Sequence, residues 1–518
     1  MASAGVRQCI RDLTVYLVFL IFISTLGPLQ FGYHLVNLSR SDFSVNTFQA
    51  NIPQAELNAP QDVLTCKSRS VADDLASQPY SNLPQCIPMT EAQFALLSSM
   101  FVVGGFVGAI FAGPISTSYG RLMSMRITSF SFVLGSGLET IAATVPVMSI
   151  GRLVAGVGAG ASMVIVPLYI SEVAPPKERG ILGSMTQVMI NVGILFTQTL
   201  GYYLSRDSSW RIILGVGAIV GLFQGLGLCL LPESPAWLAA HKDPQRAVRT
   251  LQRIRGRGTS ISAEIAEWDV KSGEGEEEGL LRDSPPPSRR ESAASSKSIP
   301  HIGFFGVLRD PLYQPAIIAV IGIMFAQQFC GVNSIMMYSV SLLSGVMPIS
   351  SSLLTIMISA VNLVTTIACA PLADKIGRKA CLLLSIAGMG SMSLCLALSL
   401  RWEIKILSAI SVILFIAFFA TGLGPVPFMI ASELVGQEAV GATQSWCLAA
   451  NYVATFIVAQ FFPIINTKLN KALGGSGWVY FIFATLALLS FLFVSWRVPE
   501  TKGKKDADEV WGRIRRVD

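Results

Sequence analysis

The sequence predicts an all-α membrane protein: twelve transmembrane helices arranged as two six-helix pseudo-repeats. Three observations carry this. The 518 residues are 52% hydrophobic and only 14% charged, with a mean hydropathy of +0.57. A water-soluble chain of this length carries far more charge. Apolar runs then follow one another near 13–35, 91–115, 126–145, 148–171, 181–204, 211–231, 314–342, 349–373, 380–400, 405–431, 441–465 and 477–497, each close to the roughly 20 residues of a spanning helix. Finally, landmarks of the first six runs return in the last six. YGR at 119–121 recurs as IGR at 376–378, and VPLYISEV around Glu172 as VPFMIASEL around Glu433. Trp210 recurs as Trp478, and Pro232-Glu233-Ser234 as Pro499-Glu500-Thr501. Each counterpart lies about 260 residues on.

The first run follows Arg7 and Arg11 and reads as a retained span, not a cleaved signal. The fourth is the most informative. Residues 153–171 are uncharged, which gives about 28 Å of helix. Gly156, Gly158, Gly160 and Ala161 crowd its first half, and small residues let membrane helices approach closely. Short connectors hold Arg121 and Arg126, then Lys177 and Arg179, then Lys375, Arg378 and Lys379. The positive-inside rule puts these in the cytosol together with both termini. Arg206, Arg401 and Lys405 fall on the other side.

The expected organisation is an N-terminal half over 1–231, a cytosolic linker over 232–310, a C-terminal half over 311–497 and a cytosolic tail over 498–518. In the linker, 243–256 (DPQRAVRTLQRIRG) reads as an amphipathic basic helix. Residues 271–300 are rich in Glu, Ser and Pro and cannot bury a core. Ser288 and Ser292 flank Arg289 and Arg290 there as candidate phosphorylation sites. Glu276-Glu277-Glu278-Gly279-Leu280-Leu281 fits an acidic dileucine sorting signal, with Glu276, Leu280 and Leu281 meeting a sorting adaptor.

The net charge of +6 is modest and suggests no nucleic-acid partner. Cys66 and Cys86 flank a polar non-cytosolic loop and form the one disulfide candidate. Cys229, Cys330, Cys369, Cys381, Cys395 and Cys447 lie in or at apolar spans as packing residues. Neither a metal spacing, a P-loop nor a nucleophile–base constellation occurs, so no metal, cofactor or enzymatic activity is expected.

The motif GR…G-x-G…P-x-Y-x-x-E…R-G in 151–180 resembles the fourth helix and following loop of sugar porters in the major facilitator superfamily. Further matches are LQFGY at 29–33, Gly113 to Arg121, Pro371 to Lys379, PESP at 232–235, QQxxGxN at 327–333, GxGPxP at 422–427 and PETKG at 499–503. The chain is most similar to facilitative glucose transporters and fungal hexose transporter-like proteins. The resemblance implies the major facilitator fold and transport by alternating access, as a monomer in the lipid bilayer. The substrate would be a monosaccharide or related polyol, bound near the midplane between the halves.

Matching residues imply a substrate site of Gln187, Gln327, Gln328, Asn333, Asn362 and Asn451, with Phe428 stacking and Tyr338 at the outer gate. Sugar hydroxyls need donors and acceptors, and amides supply both. Gln327 and Gln328 are not expected to point the same way. Phe428 stands where the family usually has Trp, Ala420 where glucose carriers often have an acid, and Thr455 in place of a later Asn. Each change removes a polar contact. Arg121, Arg179 and Arg378 are expected to pair with Glu172, Glu233 and Glu433 as a cytosolic gate. The family's Arg seven residues after Glu433 is Val440, so the second-half pairing is expected to be looser. His34 stands where proton-coupled relatives have Asp and uniporters commonly Asn. His34 with Arg152 is therefore the proton-coupling candidate, and transport is facilitative or proton-coupled.

The alternative is a nutrient receptor of the same fold, but only about twenty residues follow the last run, which favours a carrier. Its membrane is vacuolar or endosomal, or the plasma membrane. Residues 36–54 (VNLSRSDFSVNTFQANIPQ) interrupt the family pattern, and GYHL joined directly to AELNAPQ fits it without a gap. The stretch is expected to be dispensable. It reads either as a retained intron or as a loop glycosylated at Asn37-Leu38-Ser39.

Overall fold

The computed structural model describes residues 14–37, 87, 89, 91–176, 178–204, 209–241, 243–256, 261–262, 264–265, 304–335, 351–436, 438–504 and 507–512. Tyr338, Cys66, Cys86, Ser288, Ser292, the stretch 276–281 and most of 36–54 lie outside the described residues. Of that last stretch, Val36 and Asn37 complete the first helix.

Among the described residues every regular element is a helix. The first half comprises α1 Val15–Asn37, α2 Glu91–Tyr119, α3 Arg121–Ile141, α4 Val145–Val173, α5 Arg179–Leu204 and α6 Trp210–Leu228. Two short linker helices follow, α7 Pro235–Ala240 and α8 Pro244–Arg255, then α9 Gly306–Arg309. The second half comprises α10 Gln314–Phe329, α11 Ser351–Cys369, α12 Leu372–Ile376, α13 Arg378–Arg401, α14 Lys405–Thr421, α15 Val426–Glu433, α16 Val440–Leu473 and α17 Trp478–Arg497. The tail adds α18 Ala507–Val510.

Each of the twelve apolar runs holds a helix. Ten spans among the described residues are apolar and long enough to cross a membrane, with α11–α12 and α14–α15 each counting once. Helices α3 and α16 supply the remaining two. The hydropathy of α3 is lowered by Arg126, Glu139 and its serines. Outward faces carry apolar side chains such as Phe130, Ile219, Val364 and Leu488. Buried positions include many Ser, Thr, Asn and Gln. This inverted distribution suits a lipid solvent, where backbone and side-chain polar groups must find partners inside.

Helix pairings repeat between the halves. Contacts α2–α4, α3–α4, α3–α6, α1–α6 and α1–α5 recur as α11–α14, α13–α14, α13–α17, α10–α17 and α10–α16. The halves meet along two seams, α2–α16 and α5–α11, which the same internal symmetry exchanges. Helix α4 is the most buried span, and its glycines explain why. A Cβ at Gly156 would overlap the Phe101 carbonyl of α2, and one at Gly160 the Gly105 carbonyl. Only glycine permits this approach.

The run 405–431 is broken in the structure. Residues 422–425 separate α14 from α15, because Pro425 has no N–H to continue the ladder. Arg121 and Arg378, expected in connectors, instead open α3 and α13.

Candidate functional site

Two matching charge clusters lie at the helix ends that carry the arginine-bearing connectors. In the first half, Arg121 forks onto Glu172, with Nε donating to Oε2 at 3.0 Å and Nη2 to Oε1 at 2.8 Å. Its Nη1 donates to the Ser116 carbonyl at 3.0 Å. In the second half, Arg378 donates from Nη2 to Glu433 Oε1 at 3.1 Å and from Nη1 to the Ala373 carbonyl at 3.3 Å. It also pairs with Asp374 Oδ1 at 3.0 Å. Thr501 Oγ1 donates to Glu433 Oε2. Both ion pairs join helices of one half.

Glu233 departs from the expected pairing with arginine. Its carboxylate accepts the backbone N–H groups of Arg121, Leu122 and Ser234 at 2.9–3.1 Å. It thus caps α3, whose first N–H groups have no partner within the helix. Burial pushes the Glu233 carboxyl above its ordinary pKa, opposed by those three N–H donors and by Arg121. Glu500 does the same for α13, accepting from the N–H groups of Arg378, Lys379 and Thr501 at 2.8–3.1 Å. Gly120 and Gly377 precede the two arginines with φ of 91° and 104°. A Cβ on either would overlap the capping carboxylate. Glycine is needed twice over, for the backbone and for the space. Arg179 makes no ion pair among the described residues. It lines a narrow crevice with Pro167, Gly183, Phe428, Met429 and Glu433.

At these same helix ends the two halves touch each other. The Gly113 N–H donates to Ser445 Oγ at 3.1 Å. Asp374 lies against the first turn of α5, where a Cβ at Gly180 would overlap its carboxylate.

The amides gather into two networks at mid-span. Gln327 donates from Nε2 to the Leu423 carbonyl at 2.5 Å, inside the α14–α15 break. Its Oε1 accepts from Asn451 Nδ2 at 2.6 Å and Gln328 Nε2 at 3.3 Å. Gln328 Oε1 accepts from Asn333 Nδ2 at 2.6 Å. Gln327 and Gln328 thus reach different partners, Leu423 and Asn451 for the first and Asn333 for the second, and are linked to each other at 3.3 Å. The second network crosses the α5–α11 seam and joins Gln187, Asn191, Asn362 and Thr366. Gln187 Cγ also lies near Gly424, so the networks flank the same break. Phe428 lines the crevice beside Arg179 and Glu433, and its carbonyl accepts from Gln444 Nε2 at 3.0 Å.

His34 and Arg152 meet in the outer part of the first half. The Arg152 Nη1 donates to the His34 carbonyl at 3.0 Å, not to its ring. The His34 ring meets Ser136 Oγ at 3.1 Å and stacks on Phe132. Glu139, a residue not singled out from the sequence, completes the cluster, its Oε2 lying 4.0 Å from His34 Nδ1. Both of its carboxylate oxygens are buried without a hydrogen-bond partner. A lone acid inside an apolar run was the available signal. Glu500 and Asn191 were missed too. The Pro-Glu repeat pointed to the first, and an amide one turn after Gln187 to the second.

Comparison with known proteins bears on this geometry. Residues 20–510 match the family model described as "Sugar (and other) transporter". A probable metabolite transport protein of Saccharomyces cerevisiae is 33% identical, over 99% of this chain and 98% of its own. The glucose transporter GlcP of Staphylococcus epidermidis is 31% identical, over 81% of this chain and 88% of its own. Among solved structures, the proton:xylose symporter XylE bound to 6-bromo-6-deoxy-D-glucose superposes with a TM-score of 0.74 at 23% identity, covering 96% of this chain and 98% of that one.

Proposed function

The chain belongs to the sugar transporter family of the major facilitator superfamily, and on that premise we propose that it carries a monosaccharide, or a closely similar polyol, across a membrane by alternating access. It is an integral multi-pass membrane protein, and we assign it no covalent chemistry. The observation that carries the reading is the pair of amide networks flanking the α14–α15 break, one of them spanning both halves. Neutral amides exchange hydrogen bonds with hydroxyls without burying a charge. Asn362 Oδ1 is buried with no partner and offers a ready acceptor. Relatives named for glucose transport and xylose symport agree with this substrate class. The arginine–carboxylate clusters at the cytosolic ends are assigned to the inner gate.

The test is uptake of labelled D-glucose and D-xylose into proteoliposomes. Gln327→Ala with Asn333→Ala should lower kcat/KM about tenfold or more, since each truncation strands buried partners. Native kinetics in that folded double variant would remove the site assignment. Absence of saturable uptake by the native chain would remove the function.

Coupling to protons is a second reading, favoured by one observation. Glu139 is a fully buried acid without hydrogen-bond partners, set beside His34 and near Arg152. Such a carboxylate is costly unless it works. Sugar entry should then acidify the vesicle interior, and Glu139→Gln should abolish that acidification. Sugar-driven acidification that survives the substitution would discard Glu139 as the coupling acid. The dileucine stretch 276–281 is assigned to sorting, and Leu280→Ala with Leu281→Ala should move the carrier to the cell surface.

A further inference from the structure

Asn191 sits at the middle of α5 and is almost fully buried. Its Oδ1 accepts two N–H groups, from Gln187 Nε2 at 3.1 Å and from Asn362 Nδ2 at 3.3 Å. Its Nδ2 donates to Thr366 Oγ1 at 2.9 Å. Thr366 Oγ1 donates in turn to the Asn362 carbonyl at 2.7 Å. Gln187 belongs to Asn191's own helix, whereas Asn362 and Thr366 lie on α11 of the other half. Two of Asn191's three bonds therefore cross the α5–α11 seam. Below them, Gly180 of α5 is pressed on Asp374. The cytosolic side cannot open along this seam without parting α5 from α11 and breaking both bonds.

From this arrangement we infer that Asn191 is a tether between the halves that competes with the sugar for Gln187 and Asn362. The inference rests on the carrier reading above, in which those two amides hold the sugar. A hydroxyl that draws either carboxamide toward itself takes that group out of line with Asn191 Oδ1. The Asn362 bond is the longest of the three and breaks first. The loaded carrier then holds its halves together through fewer bonds than the carrier without sugar. It opens to the cytosol more readily, so exchange of sugar for sugar outruns net efflux, in which the carrier must open to the cytosol again without sugar.

A structural role alone predicts something different. If Asn191 only glued two helices, its loss would slow every flux together or lower the yield of folded protein. A tether that competes with sugar changes the ratio of two fluxes and lowers KM.

The experiment compares exchange with net efflux, from the cytosolic to the outer face of the carrier, of labelled D-glucose, and separately D-xylose, in proteoliposomes. Two variants are used, Asn191→Val and Thr366→Val. The second is nearly isosteric and keeps the Asn362–Asn191 bond, so it remains informative if the first misfolds. In the native chain exchange should exceed net efflux by about threefold or more, the worth of one or two interhelical hydrogen bonds. In Asn191→Val the ratio should fall to near one and KM should drop. In Thr366→Val the ratio should fall part of the way. A native ratio of one overturns the inference, as does an unchanged ratio in both variants. A rise of KM in Asn191→Val also overturns it, since Asn191 would then be a ligand of the sugar instead of its competitor. If the native chain exchanges neither sugar, the carrier reading fails and the tether falls with it.

Discussion

Arg121 and Arg378 hold equivalent places, each opening the third helix of its half behind a glycine of positive φ. Their acids are arranged differently. Arg121 forks onto one carboxylate, Glu172, and that pair is nearly dry, at 7% and 1% side-chain exposure. Arg378 divides itself between Glu433 and Asp374, which are 17% and 24% exposed. Glu433 also takes a hydrogen bond from Thr501. The position equivalent to Asp374 is Thr117 in the first half, which has no charge to offer. The first-half cluster is closed on itself. The second-half cluster reaches across the seam, where Asp374 lies against Gly180 and faces the Ile181 N–H. Two copies of one motif have thus divided the labour. One locks a half into a rigid body, and the other spends part of its charge holding the two halves together.

The largest expected effect tests that division. Arg121→Met leaves Glu172 charged, buried and alone, which costs about 3–5 kcal/mol. Arg378→Met leaves carboxylates that keep Thr501 and partial contact with water. It should cost about 1.5–3 kcal/mol, in the range of a charged hydrogen bond. Thermal unfolding of the purified variants in one detergent measures both. Equal losses would dissolve the distinction between the halves.

A smaller effect asks what the clusters share. Gly120→Ala and Gly377→Ala each force a side chain into the left-handed region and against the capping carboxylate. Each should cost about 1–3 kcal/mol, with the two losses matching, because both caps are built alike. A loss at Gly120 alone would mean that Glu500 can move aside where Glu233 cannot.

The shared parts were the legible ones. Helix number follows from apolar runs, and the Gly-Arg and Pro-Glu landmarks are short local patterns that repeat intact. The partners were not legible. That Glu233 would choose backbone N–H groups over a guanidinium depends on how α3 begins, 112 residues earlier in the chain. Asn191 looked like one more polar residue in a membrane helix, because its bond to Thr366 spans 175 residues. Glu139 matters because of what surrounds it, and composition says nothing of that. Val440 in place of the family's arginine suggested a looser second-half pairing. Arg378 there divides itself between Asp374 and Glu433, both more exposed than Glu172.

The smallest effect would make the halves alike. Thr117 Oγ1 would lie 3.1 Å from a Cβ on Gly441, in the first turn of α16. Thr117→Asp puts a carboxylate there, where the opening N–H groups of α16 have no partner within the helix. This is the relation that Asp374 already has to α5 across the other seam. A carboxylate at a helix N-terminus is worth about 0.3–1 kcal/mol, and here the gain belongs only to the state with the cytosolic side closed. The inward-open population should fall about two- to fivefold. The readout is labelling of Ser432→Cys in the cytosolic crevice by a membrane-impermeant thiol reagent, with the exposed Cys229 replaced by serine. Thr117→Asp should slow that labelling, and Asp374→Asn should speed it by a similar factor. If Thr117→Asp leaves labelling unchanged while Asp374→Asn speeds it, the cross-seam contact depends on the geometry of α12 and not on an acid facing a helix end. The asymmetry of the halves would then lie in their backbones, out of reach of a single exchanged side chain.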